Sequence, residues 1–447
     1  MKRFIDTIKN IWAIEELREK ILLTLGLLLI YRLGSNVVLP GVNTETLSSL
    51  QSQADGGLIG ILNAFTGGAF ANASILALGI MPYISASIVI QLLGMAVPTI
   101  QKMQKEGESG RRKLNQITRI LTIGITMAQA PGYVANLMAQ GVETTVSGQT
   151  FWLLSIVVLT AGTIFAMWLG ERITDKGIGN GISLLIMVGI IASLPQAFLQ
   201  ELVSKLERSG GGLVLFVVEI AALIIVILLA VALVQAVRRV PVQYAKRTTG
   251  GRTFTGNMAR QYIPLKVNAS GVMPIIFAQA IMFIPVTILS YTAAGEDASG
   301  GWLITAFSDI QGFWYNFVFA VLIILFTYFY TAIQVNTNQM AEDLKRNGGF
   351  IPGIKPGKAT AEFLDTVLSR ITLPGSIFLA ILAILPAFAM IAGVNTQFAY
   401  FYGGTSLLIM VGVVLDTLQQ IESYLLNRHY DGLMKNGKLK GRAVSAF

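Results

Sequence analysis

Apolar residues in this chain arrive in long unbroken runs. Ten such runs stand out, at 21–38, 74–95, 117–137, 151–170, 182–199, 213–237, 268–291, 313–333, 371–393 and 403–421. Each is close to the length that carries a helix across the hydrocarbon core of a bilayer. The short alternating strands of a closed barrel, the other way to satisfy buried backbone in lipid, are not the pattern here. The runs therefore predict an all-α membrane protein with ten spans, and an even count puts both termini on one side.

The polar segments between the runs are uneven. Residues 238–266 hold seven basic side chains and no acidic one, and Thr248-Thr249-Gly250-Gly251 reads as the turn of a protruding hairpin. Residues 334–370 carry the stretch GGFIPGIKPG at 348–357. Its prolines and glycines exclude a helix and favour a rigid presented turn. Both segments are too long to be mere connectors. They read either as charge that sets topology or as a docking surface for a cytoplasmic partner. Phe4, Ile5, Ile8, Ile11 and Trp12 recur at helical spacing among Lys2, Arg3, Lys9 and Arg18, which predicts an amphipathic surface helix over 1–20. Residues 56–72 are apolar but broken by five glycines and two asparagines. A segment of that kind at membrane depth is tolerated inside protein or along a watery cavity.

Composition supports the membrane reading. Of 447 residues, 53% are hydrophobic and 13% charged, against about 25% charged in soluble domains. With the first terminus assigned to the cytoplasm, 30 of the 33 basic residues fall on the cytoplasmic side. Lys205 and Arg208 fall outside, and Arg32 lies in the first span. This is a strong positive-inside signal, and it accounts for most of the net charge of +9 without nucleic acid. There is no cysteine, and the single histidine, His429, lies in the polar tail. Thiolate and His-based metal sites, redox chemistry and a His-activated nucleophile are thereby excluded. Residues 1–20 mix both charge signs and lack a cleavage pattern, so no secretory signal is expected. GIGNG at 177–181 resembles a phosphate loop but lacks a following Lys-Ser or Lys-Thr. Glu219, Asp416, Arg32 and Arg119 are the charges inside the expected spans, all toward span ends, where a proton-coupled transporter would place carboxylates near the midplane. A channel is the leading class, a secondary transporter of a small solute the alternative, and an enzyme the weakest.

Several motifs go further. They are NAFTGGA at 63–69, ALGIMPYISASIVIQLL at 77–93, KEGESGRRK at 105–113, WLGERIT at 168–174, GIGNGIS at 177–183, PLKVN at 264–268 and FYGGTSLLI at 401–409. In order and across the whole chain they resemble the SecY/Sec61-alpha family, the central subunit of protein-export channels. The resemblance implies two five-helix halves, 21–199 and 213–422, hinged at 200–212 around an hourglass pore, with a cytoplasmic tail at 423–447. It implies a pore ring of Ile80, Ile84, Ile186, Ile190, Ile276 and Ile409, which would shed water without fixed charge. Residues 56–72 would be a plug, with Asn63, Thr66, Gly67, Gly68 and Asn72 suiting a weakly held element. A lateral gate between spans two and three and spans seven and eight would use Ser85, Gln129 and Gln279 as a hydrogen-bonded latch. The loops at 238–266 and 334–370 would dock the SecA motor or the ribosome through Arg247, Arg252 and Lys355. Where the family usually has arginine, this chain has Lys355, which keeps the charge and loses the planar fork. The implied partners are the small membrane subunits SecE and SecG, polypeptides bearing signal sequences, and lipid. The implied location is the bacterial plasma membrane with both termini cytoplasmic, and neither cofactor nor metal is implied.

Overall fold

The computed structural model describes residues 12, 14–43, 63, 66–139, 147–207, 212–244, 261–279, 281–282 and 311–435. They form a mostly helical protein. Its helices are α1 (Glu15–Gly34), α2 (Met81–Ala96), α3 (Pro98–Lys105), α4 (Glu108–Ala139), α5 (Gly148–Lys176), α6 (Gly181–Glu207), α7 (Gly212–Gln235), α8 (Phe313–Gln334), α9 (Thr337–Arg346), α10 (Lys358–Ile391), α11 (Thr396–Ala399) and α12 (Gly404–Lys435). Further helical turns lie at 273–279. Among the described residues, six helices are long and apolar enough to cross a membrane, those beginning at Gly148, Gly181, Gly212, Phe313, Lys358 and Gly404. Of the other runs, 117–137 lies on α4, 21–38 and 74–95 are helical in part, and most of the second half of 268–291 lies outside the described residues; α1 opens on five charges in six residues and α2 is 16 residues long.

Contacts divide the chain into two compact units. One holds the described residues up to Ala192 and those from Val413 onward; the other runs from Ser193 to Gly412. In the first unit, α1 places Glu15 and Glu16 in its first turn and Arg32 in its last, each matching the helix dipole. The expected span at 74–95 becomes helical only at Met81, with Pro82 in the first turn, where a missing N–H costs nothing. Residues 66–80 are tight turns instead, tied to the strand-like stretch after α1 by Leu39 N–H to Ala73 O (2.8 Å) and Ile75 N–H to Val37 O (2.9 Å). Leu39, Ala73, Ala77, Ala130, Tyr133, Val134, Leu137, Phe151 and Leu159 make the core beneath them. After α2, Val97 is extended (φ −108°, ψ 113°), as the residue before Pro98 must be, and the helix direction breaks there.

The second unit carries the departure from an all-helical reading. A three-stranded antiparallel sheet of order β2-β1-β3 is built from β1 (Val237–Tyr244), β2 (Gln261–Lys266) and β3 (Gly349–Phe350). Arg239 pairs with Pro264 and Pro241 with Tyr262, while Gln243 and Tyr244 pair with Phe350 and Gly349. β1 and β2 pair antiparallel, the turn expected at 248–251 lies outside the described residues, and a third strand comes from the other long loop. Val240, Val242 and Leu265 from the sheet bury against Leu344 of α9, Ile351, and Leu364 of α10. Helix α10 begins 13 residues before the expected span at 371, so its first turns belong to this small core. Asn336 caps α9 by accepting from Gln339 N–H (3.1 Å). Helix α7 leaves Val214, Val217, Val218, Ile225 and Leu228 about 60% exposed, the surface of a helix that faces lipid rather than water.

Candidate functional site

The glycine-broken segment is where the first unit concentrates unusual backbone. Gly67, Gly68 and Gly79 have positive φ (65°, 88° and 52°), and Ala73 joins them at 45°. Only glycine holds such angles without strain. Thr66 Oγ1 donates to Asn63 O (3.2 Å) and accepts from Phe70 N–H (3.2 Å), while Asn63 Oδ1 accepts from Ala71 N–H (3.0 Å). Gly68 N–H closes the turn on Asn63 O (2.9 Å) and Asn72 N–H donates to Gly68 O (3.0 Å). Two side chains from other elements grip this turn. The Arg32 guanidinium of α1 donates to Gly67 O and to Ser35 Oγ, and the Tyr133 hydroxyl of α4 donates to Phe70 O (2.8 Å). On its other side Gly67 meets the α6 backbone, where a Cβ at 67 would lie 2.7 Å from Gly189 Cα. Thr66, Ala69 and Ala71 are buried. The five expected plug residues therefore sit in a turn that is firmly tied down, whereas the glycine content alone suggested a weakly held one. Of that segment, 56–62, 64 and 65 lie outside the described residues.

The aliphatic residues expected at the ring are placed as follows. Ile80 is the residue before α2 and is buried; Ile84, one turn on, is half-buried and donates its N–H to Ile80 O (3.1 Å). Ile186 and Ile190 lie one turn apart on α6 and both are buried, Ile190 fully. These four belong to the first unit. Ile276 and Ile409 belong to the second, half-buried at 273–279 and buried on α12. Both lie one helical turn from the contact of Gly412 with Val272, where a Cβ would sit 3.2 Å from Val272 Cγ2.

The three polar residues expected at a lateral gate differ in state. Ser85 Oγ donates to Met81 O of its own helix (3.2 Å), the usual way a hydroxyl satisfies itself in an apolar helix. Gln129 on α4 is exposed, and Gln279 is buried in the second unit. Of the docking residues, Arg247 and Arg252 lie outside the described residues. Lys355 is exposed on the turn after β3, a turn held by buried Ile351, by Gly353 and Gly357 at φ 83° and 104°, and by Thr360 Oγ1 donating to Lys355 O (2.9 Å). The turn is rigid and presents its charge outward. Elsewhere in the first unit, Arg119 and Glu171 form a two-pronged pair (2.9 and 2.6 Å) between α4 and α5.

Two features of the structure are absent from the sequence reading. The tether from Arg32 to Gly67 spans 35 residues; its signal was an arginine inside a span, which is a functional hypothesis by default. The second is a buried ion cluster. Helix α6 runs on to Glu207, through the first eight residues of the expected 200–212 loop, and brings Glu201 and Lys205 inside the protein. Lys205 Nζ meets Glu219 Oε1 of α7 at 2.7 Å and Glu201 Oε1 at 3.2 Å.

A helical protein with six or more apolar spans, a tied-down glycine turn between its first two helices and a small sheet built from its long loops is a polytopic membrane protein by architecture. The SecY family model matches residues 74–418, and the chain belongs to that family. It is 44% identical over 437 residues to the protein translocase subunit SecY of Bacillus subtilis, covering 96% of this chain and 99% of that one. It is 42% identical over 452 residues to the corresponding subunit of Mycobacterium tuberculosis (97% and 100%). Its fold matches a solved protein-conducting channel with TM-score 0.63 at 19% identity, covering 90% and 91% of the two chains. It also matches a SecY structure that concerns the plug domain, the closed state and the membrane seal (0.62, 20% identity, 90% and 91%). Sec61 in a canine ribosome-channel complex matches at 0.58 and 18% identity, again over 90% and 91%.

Proposed function

We propose that this chain is the pore-forming subunit of a protein-conducting channel, passing unfolded polypeptides across the bacterial plasma membrane and releasing apolar segments sideways into lipid. The observation that carries the reading is end-to-end similarity above 40% identity to protein translocase subunits. The fold agrees with it, since its structural matches are protein-conducting channels. Secondary transport of a small solute draws no support from either. The chain supplies passage and gating rather than covalent chemistry.

In this reading the tied turn at 66–72 is the base on which a plug rests, and Arg32, Tyr133 and Gly189 position it. Ile80, Ile84, Ile186, Ile190, Ile276 and Ile409 form the constriction, with Ser85, Gln129 and Gln279 biasing the lateral gate. The sheet with its Lys355 turn, and the basic loop bearing Arg247 and Arg252, dock SecA or the ribosome; the likeness to ribosome-bound Sec61 supports the second partner. SecE and SecG complete the complex, and both termini face the cytoplasm, as the basic asymmetry supports. The two halves, 21–199 and 213–422, move about the connection between α6 and α7. The test is site-specific photocrosslinking to a stalled secretory chain from Ile84 and from Ile190. Adducts at both, and none from lipid-facing Val217, are expected. Adducts only from Val217 would overturn the assignment of the pore.

A further inference from the structure

The turn GIGNG at 177–181 joins α5 to α6. It is no phosphate loop, because the N–H groups that would cradle an anion are already engaged within the protein. Ile178 N–H donates to Thr24 Oγ1 of α1 (3.1 Å), and Gly179 N–H to Gln420 Oε1 of α12 (2.9 Å). Gly181 N–H donates to Thr174 Oγ1 of α5 (2.9 Å). Asn180 Oδ1 caps α6 by accepting from Ile182 N–H (3.2 Å) and Ser183 N–H (3.4 Å). The turn is thus a junction of α1, α5, α6 and α12, with every contributing residue in the first unit. There is no slack in it. A Cβ on Gly177 would collide with Thr24 Oγ1, and one on Gly181 with Gly170 O. Gly179, at φ 80°, would set one 3.0 Å from Thr417 Oγ1 and 3.1 Å from Leu184 Cδ1.

Helix α12 relies on this junction. None of residues 414–424 is buried, so apolar packing does little to hold that stretch. Polar ties take its place. One is the bond from Gly179 to Gln420, which reaches the start of α6. Another is Lys20 Nζ, which donates to Tyr424 Oη (2.9 Å) and sits over the Tyr424 ring (4.4 Å), joining α12 to α1. From Gly181 the helix α6 continues through Ile186 and Ile190, about 7.5 and 13.5 Å further on at helical rise. A shift of the turn is therefore carried to both side chains by stiff helix. We propose that Gln420, acting through Gly179, is a positioning residue for the pore ring: its bond fixes where α6 starts and so where Ile186 and Ile190 stand. The inference rests on the reading of these two isoleucines as part of the constriction. Movement of the end of α12 then reaches the ring through a single hydrogen bond.

Hydrogen exchange of the full chain in lipid nanodiscs, with resting ion conductance of the same variants in planar bilayers, tests this. Gln420→Ala removes the acceptor. The amides of 184–190 should then exchange roughly tenfold faster, the scale of one lost hydrogen bond, and the resting conductance should rise. Gln420→Glu keeps an oxygen for Gly179 N–H and should return both to near the wild-type values. Tyr424→Phe removes the hydroxyl that Lys20 uses but leaves the turn intact, so neither quantity should change. Unchanged exchange at 184–190 in Gln420→Ala overturns the proposal. So does failure of Gln420→Glu to restore it, or an equal rise in Tyr424→Phe, since general loosening of α12 would produce those results. Faster exchange without added conductance supports the hold of Gln420 on α6 and overturns instead the place of Ile186 and Ile190 in the ring. Should Gln420→Ala fold poorly, Gly179→Ala disturbs the same contact from the turn side. The same rise at 184–190 is then expected, and unchanged exchange counts against the proposal.

Discussion

Gly67→Ala is the sharpest test of how the glycine turn is held. Gly67 sits at φ +65°, where a residue bearing a Cβ pays roughly 1–2 kcal/mol. The new methyl also meets three atoms at once: Gly189 Cα at 2.7 Å, Gly189 O at 2.8 Å and Arg32 Nη1 at 2.9 Å. Two of these are helix backbone and cannot give way alone, and forcing a methyl into such a space costs about 1–3 kcal/mol. Arg32 can swing aside, but only by abandoning its bond to Gly67 O, worth about 1.5–3 kcal/mol for a charged donor. The seated position of the turn should thus be penalised by roughly 2–5 kcal/mol, which is a factor of about 30 to 5,000 in an equilibrium. Gly68→Ala is the control. It shares the positive φ (88°), but the nearest atom to its Cβ is Asn72 Nδ2 at 3.7 Å, so it pays only the backbone cost. Ion conductance of the resting channel in planar bilayers, with thermal unfolding of the same preparations, measures both. Gly67→Ala should leak more and melt lower than Gly68→Ala. Equal behaviour of the two variants would refute the wedge between Arg32 and Gly189, and with it the claim that this turn is a fixed base.

Three further outcomes follow from the structure. Leu364→Ala removes a fully buried side chain from the core beneath the sheet and should cost about 2–5 kcal/mol; limited proteolysis should cut near β1 and β2 far faster, and an unchanged digest would mean the sheet does not depend on α10. Lys355→Glu should leave melting unchanged, because only the Lys355 carbonyl is used within the fold, while SecA or ribosome binding weakens in a salt-dependent manner; unaltered affinity for both partners would leave the loop with a topological role. Ile190→Asn should loosen the seal, raising ion leak and passing substrates with defective signal sequences, whereas Ile190→Leu stays near wild type; a lowered yield with normal selectivity would mark Ile190 as packing.

The helices were largely legible because the runs are long and the bilayer fixes their length. What escaped was every feature set by partners distant in the chain. The second expected span begins on paper at Ser74 because ASILALGI is as apolar as helix. The chain instead turns there, since Leu39 and Val37 offer main-chain partners and the positive φ of Gly79 ends the approach. The hairpin was visible from its turn residues, yet the third strand was not. Gly349-Phe350 has no strand signature of its own and is extended only because Gln243 and Tyr244 pair with it. At the candidate site, Ile84, Ile186, Ile190 and Ile409 lie on helices, Ile80 lies just before one, and Arg247 and Arg252 lie outside the described residues. The hydrogen bonds of the glycine turn were not predictable, because Arg32 and Gly67, or Tyr133 and Phe70, meet across 35 and 63 residues.

Charge was the most misleading signal, and the reason is physical. Residues 200–212 were expected as a hinge loop, and Glu201, Lys205 and Glu207, which fall in it, are charges that lipid expels when they stand alone. The cost vanishes when the charges satisfy one another, and Glu201 and Lys205, at i,i+4 spacing, do so on one face of α6. Glu219, 14 residues on, completes the set only after the chain has turned back through α7. From Glu219 to Val237 is 18 residues of helix and connection, about 27 Å at helical rise, close to the thickness of a hydrocarbon core of about 30 Å. The ion cluster and the sheet therefore mark the two ends of one membrane-crossing helix. Helix α10 makes the same connection a second time. Its 34 residues extend about 51 Å, far more than the core requires. The excess lies at its start, where Leu364 packs under the sheet, and its far end leads to Gly393, whose carbonyl takes the Lys205 bond. The sheet and the ion cluster are thus joined by two continuous helices within one compact unit. A force on the sheet has a direct mechanical route to the cluster, and a partner that binds at Lys355 should change hydrogen-exchange protection at the 393–395 turn. Unchanged protection with the partner bound would show that the two ends are joined by chain but not by energy.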